Sequence, residues 1–220
     1  MGKNKNKKTI TQPNLILCEG EDATQFIIRY LEHLRKRDEE FEPFIAFDYG
    51  GNEELSTFLF EIKRYPGFDM VTSIIIIRDS ENDHNSAIQS VKYALKKSGF
   101  PVPIEPNNIE RDENMSVAFS LFPSLSKIDL NGTLEDLLIE NLKEDGADSF
   151  LEGIQSFLDD LKSKGRRFKW FHKTKLHTYF SVTDDYVTKP IGLATEAGAF
   201  DLDCTEMNSL KELLRNISEK

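Results

Sequence analysis

The stretch Val71-Thr72-Ser73-Ile74-Ile75-Ile76-Ile77-Arg78-Asp79-Ser80-Glu81 decides the fold class of this 220-residue chain. Its run of consecutive isoleucines is typical of a strand that is covered on both faces, as the strands of parallel sheets are. The apolar run ends abruptly in charged residues, which indicates that the strand leaves the core there. We therefore predict a fully buried strand whose carboxyl end carries acidic side chains.

Strand and helix patterns alternate along the first half of the chain. Short apolar runs at 15–18 and 44–47 predict two more strands, and apolar residues at helical spacing predict helices at about 22–37, 55–62 and 87–95. This alternation is typical of a parallel sheet with right-handed crossovers.

The second half of the chain has a different pattern. Further strands are expected at Val102–Ile104 and Met115–Leu121, and helical faces follow at 134–142, 150–161 and 206–217. The predicted fold class is α/β: a mostly parallel, Rossmann-like sheet flanked by helices, with a helical C-terminal portion.

The chain is expected to form a single domain at residues 13–220 after a flexible basic tail at residues 1–12, because no linker or repeat interrupts it. No apolar stretch approaches the ~20 residues of a membrane span, and the start lacks a secretory pattern. Cys18 and Cys204 are the only cysteines, too few for a disulfide framework or a zinc cluster. We therefore expect a reduced, cytoplasmic protein with no membrane partner.

The net charge of −10 comes from 28 Lys and Arg against 38 Asp and Glu. A protein that simply coats nucleic acid would be basic overall, so this balance argues against that class. It does not exclude an enzyme that holds metal ions with carboxylates, because such ions reverse the local field.

Acidic residues follow two of the predicted strands directly. Glu19 follows the first strand, and Asp79, Glu81 and Asp83 follow the isoleucine strand. Ligands of open parallel sheets bind beyond the carboxyl ends of the strands, so we expect these acids to converge at one edge. Several adjacent carboxylates need a compensating cation, and oxygen ligands favour Mg²⁺ or Mn²⁺.

A structural role is the alternative interpretation of these acids. Acids at strand ends also serve as N-caps or turn formers. Asp79 or Asn82 would cap the helix that starts near His84, and Thr133 with Asp136 fits an N-cap arrangement. Glu135, the neighbour of Asp136, is not explained by such a cap.

Several motifs together resemble a known domain. They are Leu17-Cys18-Glu19-Gly20-Glu21-Asp22, residues 76–83, residues 132–138, residues 175–179 and residues 197–201. Their order and spacing resemble the toprim domain of topoisomerases, primases and OLD-type nucleases. The chain is most similar to a family of toprim-like domains of unknown function (domain of unknown function family 3226) related to the OLD-type nucleases, over about residues 14–216.

The resemblance implies roles for the acids. Glu19 matches the toprim glutamate, a general acid/base or metal ligand. Asp79 and Glu81 match the paired metal-binding aspartates, with a longer side chain at the second position. Asp83, which alternation in an extended stretch would place on the same side, is a further candidate metal ligand. Glu135 and Asp136 match a later acidic pair that helps to hold a second ion, and two ions ~3.5–4 Å apart stabilise both oxygens of a phosphodiester displacement.

A basic, aromatic segment provides candidate contacts to nucleic acid. Basic side chains meet phosphates and aromatic rings stack on unpaired bases, which predicts an interface of Lys164, Arg166, Arg167, Lys169, Trp170 and Lys173. Lys173 and Lys175 are candidates for stabilising charge in the transition state, and the resemblance favours Lys175 as the catalytic one. The alternative is a solvated helix end whose aromatics belong to the core.

These observations predict a nuclease that hydrolyses phosphodiesters of DNA or RNA with one or two Mg²⁺ or Mn²⁺ ions. The chain has no P-loop, and the resemblance implies a separate ABC-class ATPase as a candidate partner, in phage defence or DNA repair; a homodimer is a further candidate assembly. One rival is a non-catalytic regulatory or nucleic-acid-binding module. Another is a phosphatase or phospho-receiver that forms an aspartyl-phosphate on Asp79.

Overall fold

Five strands form one sheet in this computed structural model, which describes residues 9–123 and 131–218. The strands are β1 (Asn14–Glu19), β2 (Phe44–Gly50), β3 (Ser73–Asp79), β4 (Ile109–Arg111) and β5 (Ser116–Phe122). Their order is β2-β1-β3-β5-β4. All neighbours run parallel except β4, which pairs antiparallel with β5. The predicted α/β class with a mostly parallel sheet is confirmed.

Helices surround the sheet in the described residues. They are α1 (Glu21–Arg37), α2 (Leu55–Ile62), α3 (His84–Lys97), α4 (Leu134–Leu142), α5 (Asp148–Ser163), α6 (Phe171–Ser181), α7 (Ile191–Glu196) and α8 (Asn208–Ser218). Short 3₁₀ turns lie at Asn52–Glu54, Phe68–Met70 and Thr205–Met207, and a π turn lies at Lys143–Ala147. No helix of residues 9–123 or 131–218 is both long and apolar enough to cross a bilayer.

The isoleucine run is explained by two cores, one on each side of the sheet. Ile75 and Ile77 join a core with α1, α4 and the later helices. Ile74 and Ile76 point the other way and join a core with α2 and α3. All four side chains are fully buried, so β3 has no polar face.

The path of the chain places a crevice beside the carboxyl end of β3. From β1 the chain moves to β2 on one side, and then to β3 on the other side of β1. This reversal of strand order is the position at which α/β sheets bind ligands. Glu19 ends β1 and Asp79 ends β3, so the two predicted site acids border this crevice.

Two sequence expectations differ from the structure. The strand predicted at Val102–Ile104 is wrong: Pro101 and Pro103 remove backbone donors there, and the antiparallel partner of β5 is β4 instead. The folded chain also begins before residue 13, because Ile10 is buried and its N–H donates to the Pro66 carbonyl at 2.9 Å. Residues 1–8 of the predicted tail lie outside the described residues.

Candidate functional site

The side chains of Glu19 and Asp79 project toward opposite faces of the sheet at its edge. Alternation along the strands places Glu19 on the side of Leu17, which packs with α2 and α3, and Asp79 on the side of Ile77. The register between β1 and β2 shifts between Cys18 and Glu19. The acids are nevertheless close enough for the Glu19 charge to raise the pKa of Asp79.

Arg78 lies beside Glu19 at this edge. Its side chain is 3% exposed, and its Nε lies 3.5 Å from Glu19 Oε2. The same Nε donates to the Asp79 carbonyl at 3.3 Å. The buried guanidinium therefore faces one of the predicted catalytic carboxylates and offsets its charge.

Asp79 is the centre of a group of carboxylates. Burial raises the pKa of Asp79 to about 8; the Glu135 charge also raises it, the Leu134 N–H lowers it, and Glu19 and Glu81 raise it further. These neighbours come from β1, the loop after β3, and α4. A bound cation would favour the ionised form of Asp79 and reverse this effect.

Glu81 is positioned by a short bridge. Its N–H and carbonyl both exchange hydrogen bonds of 2.7 Å with Gly132, and its φ of 52° lies in the left-handed region that costs a non-glycine residue energy. Gly132 has a φ of 131°, and a Cβ there would meet Asp136 Oδ2 at 2.6 Å. The bridge thus brings the loop after β3 against the start of α4.

Two of the predicted metal ligands take part in capping a helix. Asp83 is the N-cap of α3 and accepts hydrogen bonds from the N–H and hydroxyl of Ser86 at 3.0 and 2.7 Å. The cap of this helix is therefore Asp83, not Asp79 or Asn82. Asp136 accepts from the Thr133 N–H at 2.8 Å within a capping box, which confirms that alternative, and it also contacts His172.

A lysine of α6 lies among the acids. Lys173 Nζ lies 2.7 Å from Asp22 Oδ2 and 3.5 Å from Glu135 Oε1. Partial burial lowers the pKa of Lys173, but the hydrogen bond to Asp22 and the charges of Glu135 and Asp22 outweigh this and raise it. Because Glu135 is only 5% exposed, this ammonium is an internal counter-charge for a buried carboxylate.

A pocket of about 490 Å³ opens between these groups. Its lining includes the predicted acids Asp79, Glu81 and Glu135 and the predicted nucleic-acid contacts Lys169, Trp170 and Lys173, together with Asn82, Gly132, Thr133, Phe171 and His172. Acids and basic aromatic residues that were predicted separately from the sequence therefore meet in one cavity.

Other predicted site residues lie elsewhere. Lys175 Nζ donates to Gln155 Oε1 at 2.9 Å and lines a separate pocket of about 540 Å³ beside α5. Lys164 pairs with Asp160, Arg166 lies over the Phe168 ring, and Arg167 is exposed.

Sequence reasoning missed three contributors to the site. His172 and Asn82 line the pocket, and Asp22 holds Lys173. Asn82 and Asp22 lie within two of the motifs that resemble the toprim domain, and this resemblance is the only sequence signal for them. His172 had no such signal, because only the packing of α6 against α4 brings it to Asp136.

Oxygen ligands for a divalent cation are present, but they are not gathered. In residues 9–123 and 131–218, no three His, Cys, Asp or Glu side chains form a group that could hold a metal ion. The chemistry of the donors fits Mg²⁺ or Mn²⁺, and the raised pKa of Asp79 reflects its burial first and the nearby carboxylates second. Binding an ion would require Glu81 or Glu135 to approach Asp79 and the Lys173 ammonium to leave Glu135.

Comparison with known proteins gives one result. A family model described as "Protein of unknown function (DUF3226)" matches residues 13–219. No curated protein and no solved structure matches the chain. The match covers nearly the whole chain, but its description names no activity.

Proposed function

The chain belongs to the family described as "Protein of unknown function (DUF3226)", and from its site we propose that it is a nuclease that hydrolyses phosphodiesters with Mg²⁺ or Mn²⁺. The toprim resemblance of the sequence supports the same reaction. The observation that carries the proposal is that Asp79, Glu81 and Glu135 line one pocket; burial of Asp79 and then the charges of Glu135, Glu19 and Glu81 raise its pKa to about 8. Carboxylates that share one pocket and act on one another's charge are candidate ligands for a divalent cation.

Four acids have roles in this proposal. Asp79, Glu81 and Glu135 would hold the ion, which when bound polarises a phosphate oxygen and activates water. The toprim resemblance assigns the proton transfer to Glu19, which does not line the pocket but lies close enough for its charge to act on Asp79; it would accept the proton of the attacking water. The water oxygen forms a bond to phosphorus, the bond to the leaving sugar oxygen breaks, and that oxygen takes up a proton from solvent.

Lys173 replaces Lys175 as the proposed charge stabiliser. Lys173 lines the pocket that contains Asp79, whereas Lys175 lines a different one. Lys173, which lies beside Glu135 and Asp22, would supply a positive charge to a phosphate bound in this pocket, and such a charge lowers the barrier.

The test is cleavage of plasmid, single-stranded DNA and RNA with Mg²⁺ or Mn²⁺, comparing Asp79→Asn with Asp83→Asn. Asp83 lies four residues away and caps α3, a role that asparagine also fills. We expect Asp79→Asn to lose at least ~100-fold in rate and Asp83→Asn to retain wild-type activity. Equal activity of Asp79→Asn and wild type would refute the assignment.

A non-catalytic binding module is the second candidate. It is favoured by the Lys173 ammonium, which already lies near Glu135 and Asp22, and by the absence of a ready three-ligand group in residues 9–123 and 131–218. Calorimetry distinguishes the two functions. The nuclease predicts a heat of Mn²⁺ or Mg²⁺ binding that Asp79→Asn abolishes, and the module predicts none at these carboxylates.

The resemblance supports the proposal about an ATPase partner, and the cysteines support the proposal about location. We propose a separate ABC-class ATPase as the partner, in phage defence or DNA repair, and the cytoplasm as the compartment. Both cysteines are buried and free, which suits a reducing environment. Copurification from the native cell tests the ATPase, and sedimentation tests the candidate homodimer.

A further inference from the structure

Trp170 has an unusual position for a tryptophan. It immediately precedes α6 and is 61% exposed, yet it lines the same pocket as Asp79 and Glu135. Lys169 Nζ lies 4.4 Å from the centroid of its ring. A large, exposed aromatic ring that lines a cavity indicates a binding site more strongly than one on an open surface, because the cavity gives a ligand a defined position.

The neighbouring aromatic residues are already engaged. The Phe171 ring has Lys162 Nζ 3.4 Å from its centroid and Phe168 packed edge-on at 5.9 Å. Phe168 in turn lies beside Arg166. Phe171 and His172 also line the pocket, but the Phe171 ring is packed against Lys162 and Phe168, whereas the Trp170 indole is 61% exposed and offers the larger aromatic surface.

We propose that this pocket takes an unpaired nucleotide of a single-stranded nucleic acid, with its base stacked on the Trp170 indole. Lys169 and Lys173 line the same pocket and supply the positive charge that attracts the adjoining phosphates. In a duplex the faces of each base are covered by its neighbours, so an indole can stack only on a base that is unpaired or flipped out. The pocket volume of about 490 Å³ lies in the range of sites for small ligands.

This inference rests on the proposed function in one respect, since it names the substrate class of that same site. Stacking itself requires no metal ion. The phosphate next to the stacked base would lie beside the Asp79 group, because Trp170, Lys173 and Asp79 line one cavity. A strand whose base is held there presents its backbone to the carboxylates.

Trp170 is the only tryptophan of the chain, so its fluorescence reports on this one position. The full-length protein in EDTA is titrated with a short oligothymidylate, with an abasic oligomer of the same length and charge, and with a duplex. We expect the oligothymidylate to quench the fluorescence and to bind more tightly than either of the others. Equal quenching by the abasic oligomer, tighter binding of the duplex, or no binding at all would overturn the proposal.

Matched variants then test the ring itself, with labelled oligonucleotide anisotropy as the readout. Trp170→Ala should weaken binding of the oligothymidylate ~5- to 100-fold, the usual effect of losing a stacked base, and Trp170→Phe should recover most of it. The control is Tyr93→Ala on α3, another exposed ring, 63% exposed and 5.8 Å from Lys97 Nζ. If Trp170→Ala and Tyr93→Ala bind alike, while circular dichroism shows both folded, the indole has no such role.

Failure of this inference and failure of the nuclease proposal have different signatures. Quenching by oligothymidylate without cleavage in the presence of either metal ion supports the base-binding site and contradicts the nuclease proposal. Metal-dependent cleavage of duplexes only, without quenching of the Trp170 fluorescence, supports the nuclease proposal and contradicts the base-binding site.

Discussion

The carboxylate of Asp79 accepts a hydrogen bond from the backbone N–H of Leu134, with 2.9 Å between Oδ1 and N. Leu134 opens α4, so the bond joins the end of β3 to the positive end of a helix. That N–H lowers the pKa of Asp79, but burial and the nearby acids dominate and raise it to about 8. The central acid of the candidate site is thus held in place by a helix terminus while its charge is disfavoured by its surroundings.

The raised pKa of Asp79 predicts a pH dependence of stability in metal-free buffer. Between its ordinary pKa of 3.8 and the folded value of about 8, the folded state binds a proton that the unfolded chain has lost. The Asp79 contribution to the free energy of unfolding is therefore full below pH ~4 and falls as the pH rises through ~8. Asp79→Asn removes this loss and should raise Tm above pH ~8 by several degrees, measured by calorimetry.

The control for this effect is Asp83→Asn, which keeps the cap of α3. Its Tm should follow the wild-type pH profile. At pH ~4 the Asp79→Asn and wild-type values should converge, because Asp79 is then neutral in the folded protein. A constant difference between Asp79→Asn and wild type at every pH would contradict the raised pKa.

The positions of Lys173 and Lys175 predict unequal effects on function. Lys173 faces Glu135 and Asp22 in the acidic pocket, whereas Lys175 donates to Gln155 in another. Lys173→Met should lower metal-dependent cleavage by ~10-fold or more, since it removes a positive charge beside the proposed phosphate position. Lys175→Met should have less than a ~3-fold effect, and rates at saturating substrate measure both.

The conservative variant Lys173→Arg separates charge from packing. It should retain more activity than Lys173→Met, with both variants showing similar circular dichroism. A larger loss in Lys175→Met than in Lys173→Met would restore the assignment that the toprim resemblance favoured.

The bridge between Glu81 and Gly132 predicts a glycine requirement. Gly132 has a φ of 131°, and a Cβ would meet Asp136 Oδ2 at 2.6 Å and Pro123 Cγ at 3.1 Å. Gly132→Ala should therefore cost ~1–3 kcal/mol of unfolding free energy and disturb the cap of α4. Urea denaturation measures the change.

The matched control is Gly153→Ala in α5. That glycine has no atom within 4 Å of the Cβ position and lies inside a helix, where alanine is favoured by ~0.5–1 kcal/mol. The two substitutions should thus change stability in opposite directions. Equal stabilisation by both would show that the Gly132 backbone is not constrained.

The elements of this fold that could be predicted from the sequence are those with strong periodicity. The isoleucine run became the buried centre of the sheet because both of its faces are covered. The predicted helix at 22–37 is α1, whose buried residues follow helical spacing. The strand expected at Val102–Ile104 does not form, because Pro101 and Pro103 remove backbone donors that a strand ladder needs.

The site could be predicted only in outline, since side-chain direction depends on details that periodicity does not provide. Asp79, Glu81 and Glu135 do meet, but the alternation along β1 and β3 places Glu19 on the other side of the sheet edge. Residues two apart on a helix differ by about 200°, so Lys173 and Lys175 face different pockets although both are basic. Hydrogen-bond partners, such as Ser86 for Asp83, likewise follow from three-dimensional packing.

The pair of Arg78 and Glu19 predicts a strong coupling in stability. The guanidinium is 3% exposed and its Nε lies 3.5 Å from Glu19 Oε2; within residues 9–123 and 131–218, its Nη1 has no hydrogen-bond partner. Arg78→Met should lower the free energy of unfolding by ~3 kcal/mol, because it leaves a largely buried carboxylate without the charge that faces it. The double variant Arg78→Met with Glu19→Gln should recover at least ~1 kcal/mol relative to Arg78→Met. Urea denaturation of the wild type, both single variants and the double variant completes the cycle, and additive effects would mean that the two side chains do not interact.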